Sequence, residues 1–359
     1  MQITHTLLVG KTGMGKSTLL KQAFADATRS GAGVLLLDPH GDLAGEVTGL
    51  VPRRRRNDVV LFDPCDPERS PGLNPLRSVP PGSRAVVVSG VLATMKKLWP
   101  ENWGPRTEHL LRYTLLALCE VRGATLMDAR DMLADEQRRA WVLKQVRDED
   151  VLRFWTKEFL KYDKRLQSEA VAPPLNKLGA FLANAKVRAI VTKNRPVLDA
   201  EKCMERNRVV IARLSKGAVG EDGAHLVGGL LLGLFQRATM AREALPREQR
   251  VPFAMFVDEV SSFATKPFLE LLAEARKYGV SLTLATQSLA VMDPDVRAGI
   301  LGNVGRLVAF RVGAEDALIL EREFSGKFGS ALMKLDVGEH VMREGGRNAV
   351  IVGAVRHAA

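Results

Sequence analysis

The sequence predicts an α/β fold: a mostly parallel sheet with helices on both faces, interrupted by an inserted all-α lobe. Three observations predict it. Short apolar runs alternate with helix-period segments over the first 80 residues and again from 208 onward. A glycine-rich loop follows the first apolar run directly and opens a helix. Between 84 and 199 the texture changes to Leu, Ala, Arg and Glu at helical spacing, with few strand signals. The expected organisation is therefore one α/β domain, 1–83 plus 200–359, carrying an all-α insertion over 84–199.

Taken in order, "ITHTLLV" (3–9) reads as a strand and "KSTLLKQAFADATRS" (16–30) as an amphipathic helix. In that helix Leu19, Leu20, Ala23, Phe24 and Ala27 share one face, and Gly31 marks its end. "GVLLLD" and "DVVLFD" are the next strands. "TEHLLRYTLLALCEV" and "DEDVLRFWTKEFLKY" carry the helical texture of the lobe. Its tryptophans, Trp99, Trp103, Trp141 and Trp155, are expected in its core rather than on a base-stacking surface. Alternation then resumes: "RVVIARL", a helix over 224–243, "PFAMFVD", a helix over 266–278, "VSLTLAT", a helix over 293–302 and "RLVAFRV".

Composition sets limits. The 359 residues are 46% hydrophobic and 26% charged, ordinary globular usage. Net charge is +11, which permits a polyanionic partner without requiring one. The run Arg53–Arg56 is the densest basic patch, open to DNA phosphates or to solvent alone. Cys65, Cys119 and Cys203 are scattered and odd in number, against a disulfide framework or zinc site and for a reducing compartment. No segment reaches the about 18 apolar residues of a membrane helix. A soluble, cytoplasmic chain without membrane insertion is expected. The apolar run Ile3–Val9 leads straight into the loop, so it is expected to be a core strand with no room for an anchor.

The loop, Gly10, Lys11, Thr12, Gly13, Met14, Gly15, Lys16, Ser17 and Thr18, fits G-x-x-x-x-G-K-[ST]. Its glycines let consecutive backbone N–H groups turn inward around phosphates. Lys16 reaches the β and γ oxygens, and the Ser17 hydroxyl is a ligand for Mg²⁺. ATP and Mg²⁺ are the cofactors this chemistry implies. Far downstream, "VPFAMFVDEV" (251–260) is a buried strand ending in two carboxylates at the sheet edge where α/β folds bind ligands. Asp258 is read as holding the magnesium shell and Glu259 as the general base that polarises water. The adjacent Glu points to the ASCE branch of RecA-like P-loop NTPases, as in ring ATPases.

Gln287 ends the strand "VSLTLAT" and is read as γ-phosphate sensor or water-positioning group, or as a mere turn cap. Arg276 is either a surface charge or an arginine finger offered to a neighbouring subunit.

These motifs, in this order, resemble the FtsK/HerA superfamily of P-loop ATPases, and within it the conjugative coupling proteins of type IV secretion, the VirD4/TraG-like group. "VLLLDPHGDL" (34–43) is similar to the HerA-type strand ending in D-P-H-G-[DE]. "NPL" (74–76), "NWGPRTEHLLRYTLLAL" (102–118) and "NKLGAFLANAKVRAIV" (176–191) resemble the borders of the coupling-protein all-α insertion. "IARLSKGAVGEDGAHLVGGLLLGLF" (211–235), "EARKYGVSLTLATQSL" (274–289) and "ILGNVGRLVAFRVGAEDA" (300–317) complete the order. The resemblance implies a DNA-stimulated ATPase that forms a hexameric homo-oligomeric ring and moves DNA with little sequence preference. In it Arg276 reaches the next subunit's nucleotide, Arg311 occupies a position often Arg in the coupling group, and Asp38 and His40 end a strand beside the loop.

Coupling proteins usually carry N-terminal membrane helices, and HerA a small β-barrel ahead of the loop. Neither precedes it here, so a partner protein is expected to recruit the chain. Two other functions remain open from sequence: a viral genome-packaging or protein-export ATPase, and a nucleotide-gated adaptor with little turnover.

Overall fold

The computed structural model describes residues 3–325, 328–345 and 348–353. Two compact units divide the chain: Met1–Phe62, Ala200–Leu214 and Ala238–Ala359 form the first, and Asp63–Asp199 with Ser215–Arg237 the second.

The first unit is built on a sheet of nine strands among the described residues: β1 (Thr6–Val9), β2 (Gly33–Asp38), β3 (Val59–Phe62), β4 (Val209–Arg213), β5 (Phe253–Val257), β6 (Val280–Thr286), β7 (Arg306–Ala309), β8 (His340–Glu344) and β9 (Val350–Val352). Their order is β3-β4-β2-β5-β6-β1-β7-β8-β9. Every pairing from β3 through β7 is parallel, and only the β7–β8 and β8–β9 pairings are antiparallel. The mostly parallel α/β expectation therefore holds.

The apolar runs of β2 and β5 are continuous because both faces are covered. Leu8, Val34, Leu36, Ala254 and Phe256 point into one cluster with Leu20 and Phe24 of α1 (Lys16–Arg29) and Val47 of α2 (Asp42–Leu50). Their strand neighbours Leu7, Leu35, Leu37, Met255 and Val257 face the other way and are equally buried. The Phe24 and Phe256 rings meet with centroids 5.9 Å apart.

Register decides where the strands end. Val9 pairs with Thr286, Leu37 with Val257, and Val257 with Leu284. The residues just past these pairs, Gly10, Asp38, Asp258 and Gln287, thus emerge along one carboxyl edge.

The second unit is helical. Several of its helices start on side-chain caps: Thr125 in a capping box with Asp128, then Asp135, Asp148, Asp163 and Asn184. Trp155, fully buried, packs edge-on against Phe154 and Phe159. The tryptophans do not all share that core. Trp99 stacks on Phe181, Trp103 donates its indole N–H to Glu108, and Trp141 is 45% exposed beneath the Arg138 guanidinium. Among the described residues no helix is long and apolar enough to cross a membrane.

The basic run 53–56 differs from both readings at one position. Arg55 is buried, pairs with Asp58, and donates to the carbonyls of Ala32 (2.6 Å), Thr28 (3.3 Å) and Asn207. It fastens the ends of α1 and β2 to the turn before β4, while Arg53 and Arg56 stay exposed. Removing it strands buried carbonyls. Arg55→Met is expected to cost about 2–4 kcal/mol of stability and Arg53→Ala less than about 0.5, measured by urea unfolding. Equal, small losses in both variants would show that Arg55 is not a pin.

Candidate functional site

The loop between β1 and α1 turns because Gly13 (φ +78°) and Gly15 (φ +116°) take left-handed backbone that side chains rarely adopt. Gly10 and Gly15 serve a second purpose. A Cβ on either would lie 2.7 Å or 2.9 Å from the side chain of Phe310, which follows β7. Gly15 precedes α1 directly and offers no side-chain cap, and the first turn holds no acidic residue. The free N–H groups and the positive helix end are left for an anion. The Lys16 side chain lies back along the loop, donating to the Gly10 carbonyl (2.5 Å) and the Lys11 carbonyl (3.0 Å). Burial lowers its pKa, against the pull of Asp258 and Glu259.

Opposite the loop stand three carboxylates. Asp38 is fully buried and accepts from the N–H groups of His40 (2.9 Å) and Ala44 (2.8 Å). Its role in the fold is to close the D-P-H-G turn and start α2. Asp258 ends β5, and burial, reinforced by Asp38 and Glu259, pushes its pKa up from 3.8 to about 6. Glu259 holds left-handed backbone (φ 50°, ψ 59°), a conformation that costs a non-glycine residue about 1–2 kcal/mol. Its carboxylate accepts from the hydroxyls of Thr286 (3.0 Å) and Ser261.

These groups share a cleft of about 540 Å³. Of the residues singled out from sequence, it gathers Thr12, Gly13, Gly15, Lys16, Ser17, Thr18, Asp38, His40, Asp258, Glu259 and Gln287. Gly10, Lys11 and Met14 shape the loop from behind: Gly10 N–H donates to Thr286 (3.2 Å), Lys11 N–H to Arg311 (2.9 Å), and the Met14 carbonyl accepts from Gly338 (3.1 Å). Arg311 does not line the cleft; its guanidinium touches the Met14 sulfur. Arg276 is also outside it. It is exposed on the short turn Ala275–Tyr278 before β6, at the sheet edge away from the loop.

Three features escaped the sequence reading. Thr286 and Ser261 grip Glu259. Buried Asp316 accepts from the Ser288 hydroxyl (3.1 Å) and the N–H groups of Leu289 and Ala290 (2.9 Å each), fixing the loop after Gln287. Val337 and Gly338, before β8, close the cleft beside Met14. Except for Ser261, two residues from Glu259, their partners lie far away in sequence.

Comparison with known proteins follows this geometry. Residues 2–76 match the family described as helicase HerA, central domain, and residues 252–343 the family described as TraM recognition site of TraD and TraG. Two solved structures share the fold. One is plasmid coupling protein TrwB in complex with ADP and Mg²⁺ (TM-score 0.70, 15% identity, covering 97% of this chain and 84% of that one). The other is VirB4 of Thermoanaerobacter pseudethanolicus (TM-score 0.65, 16% identity, 99% and 90%). No curated protein matches the sequence.

The raised pKa of Asp258 has a measurable sign. The folded protein favours its protonated form, so ionisation costs stability that is intact below about pH 4 and lost as pH rises towards 6. The rise from 3.8 to about 6 corresponds to about 3 kcal/mol. Asp258→Asn is therefore expected to stabilise the nucleotide-free protein at pH 7 by up to that amount, with no gain at pH 4. Urea unfolding at both pH values checks it; a loss of stability at pH 7 would show the carboxylate to be a structural ligand.

Proposed function

From a chain with the fold and both family segments of an FtsK/HerA-type P-loop ATPase, resembling conjugative coupling proteins, we propose a ring-forming motor that moves DNA by hydrolysing ATP. One observation carries the reading: a phosphate loop, a half-buried Asp–Glu pair and a strand-terminal glutamine meet in one cleft. ATP phosphates rest on the loop N–H groups and the α1 terminus, with Lys16 turning from the loop carbonyls to the β and γ oxygens. Glu259, in the same cleft, takes the proton of the water that attacks the γ-phosphorus, and the Gln287 amide orients that water or reads the γ-phosphate.

Mg²⁺ suits the donors present. The Ser17 hydroxyl and Asp258 carboxylate are hard oxygen ligands, and among the described residues no cluster of His, Cys, Asp or Glu forms a metal cage alone. That fits an ion shared with phosphate oxygens. When bound, it neutralises charge on the phosphates and on the carboxylate that burial penalises. The TrwB complex with ADP and Mg²⁺ supports the same pairing here.

DNA is the cargo that the +11 charge and the coupling-protein likeness favour. The grip is electrostatic and largely sequence-independent, and a partner protein recruits the motor. Arg276, exposed at the far sheet edge, serves a neighbour's nucleotide rather than its own, where such a finger supplies about 10³–10⁵ in rate.

The expected kinetics separate the roles. Lys16→Ala weakens nucleotide binding, whereas Glu259→Gln keeps binding and lowers turnover by at least about 10². Duplex or single-stranded DNA raises wild-type turnover at low salt and loses its effect as salt rises. Turnover that ignores DNA at every salt concentration would exclude a DNA motor and leave protein export or an adaptor.

Mixing inactive Arg276→Ala with inactive Glu259→Gln tests the ring. Partial recovery is expected, because some interfaces then pair an intact Arg276 with an intact Glu259. No recovery at any ratio, with mixed rings shown to form, would place Arg276 in cis or make it merely structural.

A further inference from the structure

We infer that Thr286 is a positioning residue for hydrolysis, its hydroxyl holding the Glu259 carboxylate at the phosphate loop; the inference rests on Glu259 being the base. Thr286 is the last residue of β6 and is fully buried, in register with Val9 at the end of β1. Its carbonyl accepts from the Gly10 N–H (3.2 Å), where the phosphate loop begins. Its hydroxyl lies 3.0 Å from Glu259 Oε1, and the next residue is Gln287. One residue therefore touches the loop, the base and the start of the sensor segment.

The residue type supports the assignment. Valine has the same branched shape, and a fully buried strand position favours it over a hydroxyl, which is costly to bury without a partner. Here the hydroxyl has two acceptors within 3.0 Å, Glu259 Oε1 and the Ser288 carbonyl, and one proton to give. The carboxylate is the stronger acceptor. Ser288 sits on the loop that Asp316 clamps, so this second acceptor is itself held in place. The left-handed backbone of Glu259 adds to the need for a grip, because it aims the side chain out of ordinary strand geometry. The Ser261 hydroxyl is the second donor.

Steady-state ATP hydrolysis and nucleotide affinity of the full chain, measured with DNA present, test the inference. Thr286→Val is expected to lower kcat about 10- to 100-fold, part of what a general base contributes, with ATP affinity within about twofold of wild type. Thr286→Ser restores kcat to within about threefold. In single-turnover reactions of Glu259→Gln, adding Thr286→Val costs less than about twofold, because the group it positions is already gone. Thr286→Cys keeps the size and donates weakly, so it is read the same way if the valine variant does not fold.

A wild-type kcat in Thr286→Val, an equal loss in both backgrounds, or a fall in ATP affinity matching that in kcat would overturn the inference. Near-wild-type hydrolysis by Glu259→Gln would instead overturn the base assignment, and this inference with it.

Discussion

Asp38, Asp258 and Glu259, the first buried and the other two half-buried, meet at the ends of β2 and β5, and the crowding of that negative charge is the constraint on which the site depends. Parallel register brings them together: Leu37 pairs with Val257, so the next residue of each strand is an aspartate at the same height. Asp38 is tied locally, because two backbone N–H groups of the following turn donate to its carboxylate. Among the described residues Asp258 accepts one hydrogen bond, from the N–H of Glu259 (3.1 Å), and burial raises its pKa to about 6. Lys16, itself buried, is a cation that both Asp258 and Glu259 pull towards its charged form. A site with crowded, partly buried negative charge facing a helix amino end is arranged for a magnesium-bound phosphate chain between them.

The loop that faces the carboxylates is held as closely as they are. Phe310 crowds Gly10 and Gly15, Thr286 anchors Gly10, and Gly338 anchors Met14. The glycines thus answer two demands at once, backbone freedom at Gly13 and Gly15 and room for Phe310 at Gly10 and Gly15. Glu259 stores local strain that its hydroxyl partners offset. Such strain persists where surrounding contacts over-determine it, which is a property of working sites.

Legibility followed the distance between partners. The phosphate loop, α1, the buried strands and the carboxylate pair are local patterns: β2 spans Gly33–Asp38 and α1 Lys16–Arg29, close to their readings, while β1 starts three residues into its run and β7 ends three before the end of its own. Helix α2 was not read because Gly45 and Gly49 weaken its propensity and Asp38, not a standard cap, starts it. The antiparallel β8 and β9 escaped because "HVMRE" is short and half-buried. Thr286 and Glu259 are 27 residues apart, as are Leu289 and Asp316, so no periodicity could join them. The solvent-or-DNA choice for Arg53–Arg56 failed at Arg55 alone, since what buries it is a set of distant carbonyls.

The central claim is that hydrolysis at this carboxylate edge drives DNA movement. Displacement of a third strand from a DNA triplex measures that movement directly, with the full chain loaded on a flanking duplex or single-stranded arm. The account predicts displacement with ATP and Mg²⁺, and none with a non-hydrolysable ATP analogue. Robust DNA-stimulated hydrolysis with no displacement from either side of the triplex would contradict it.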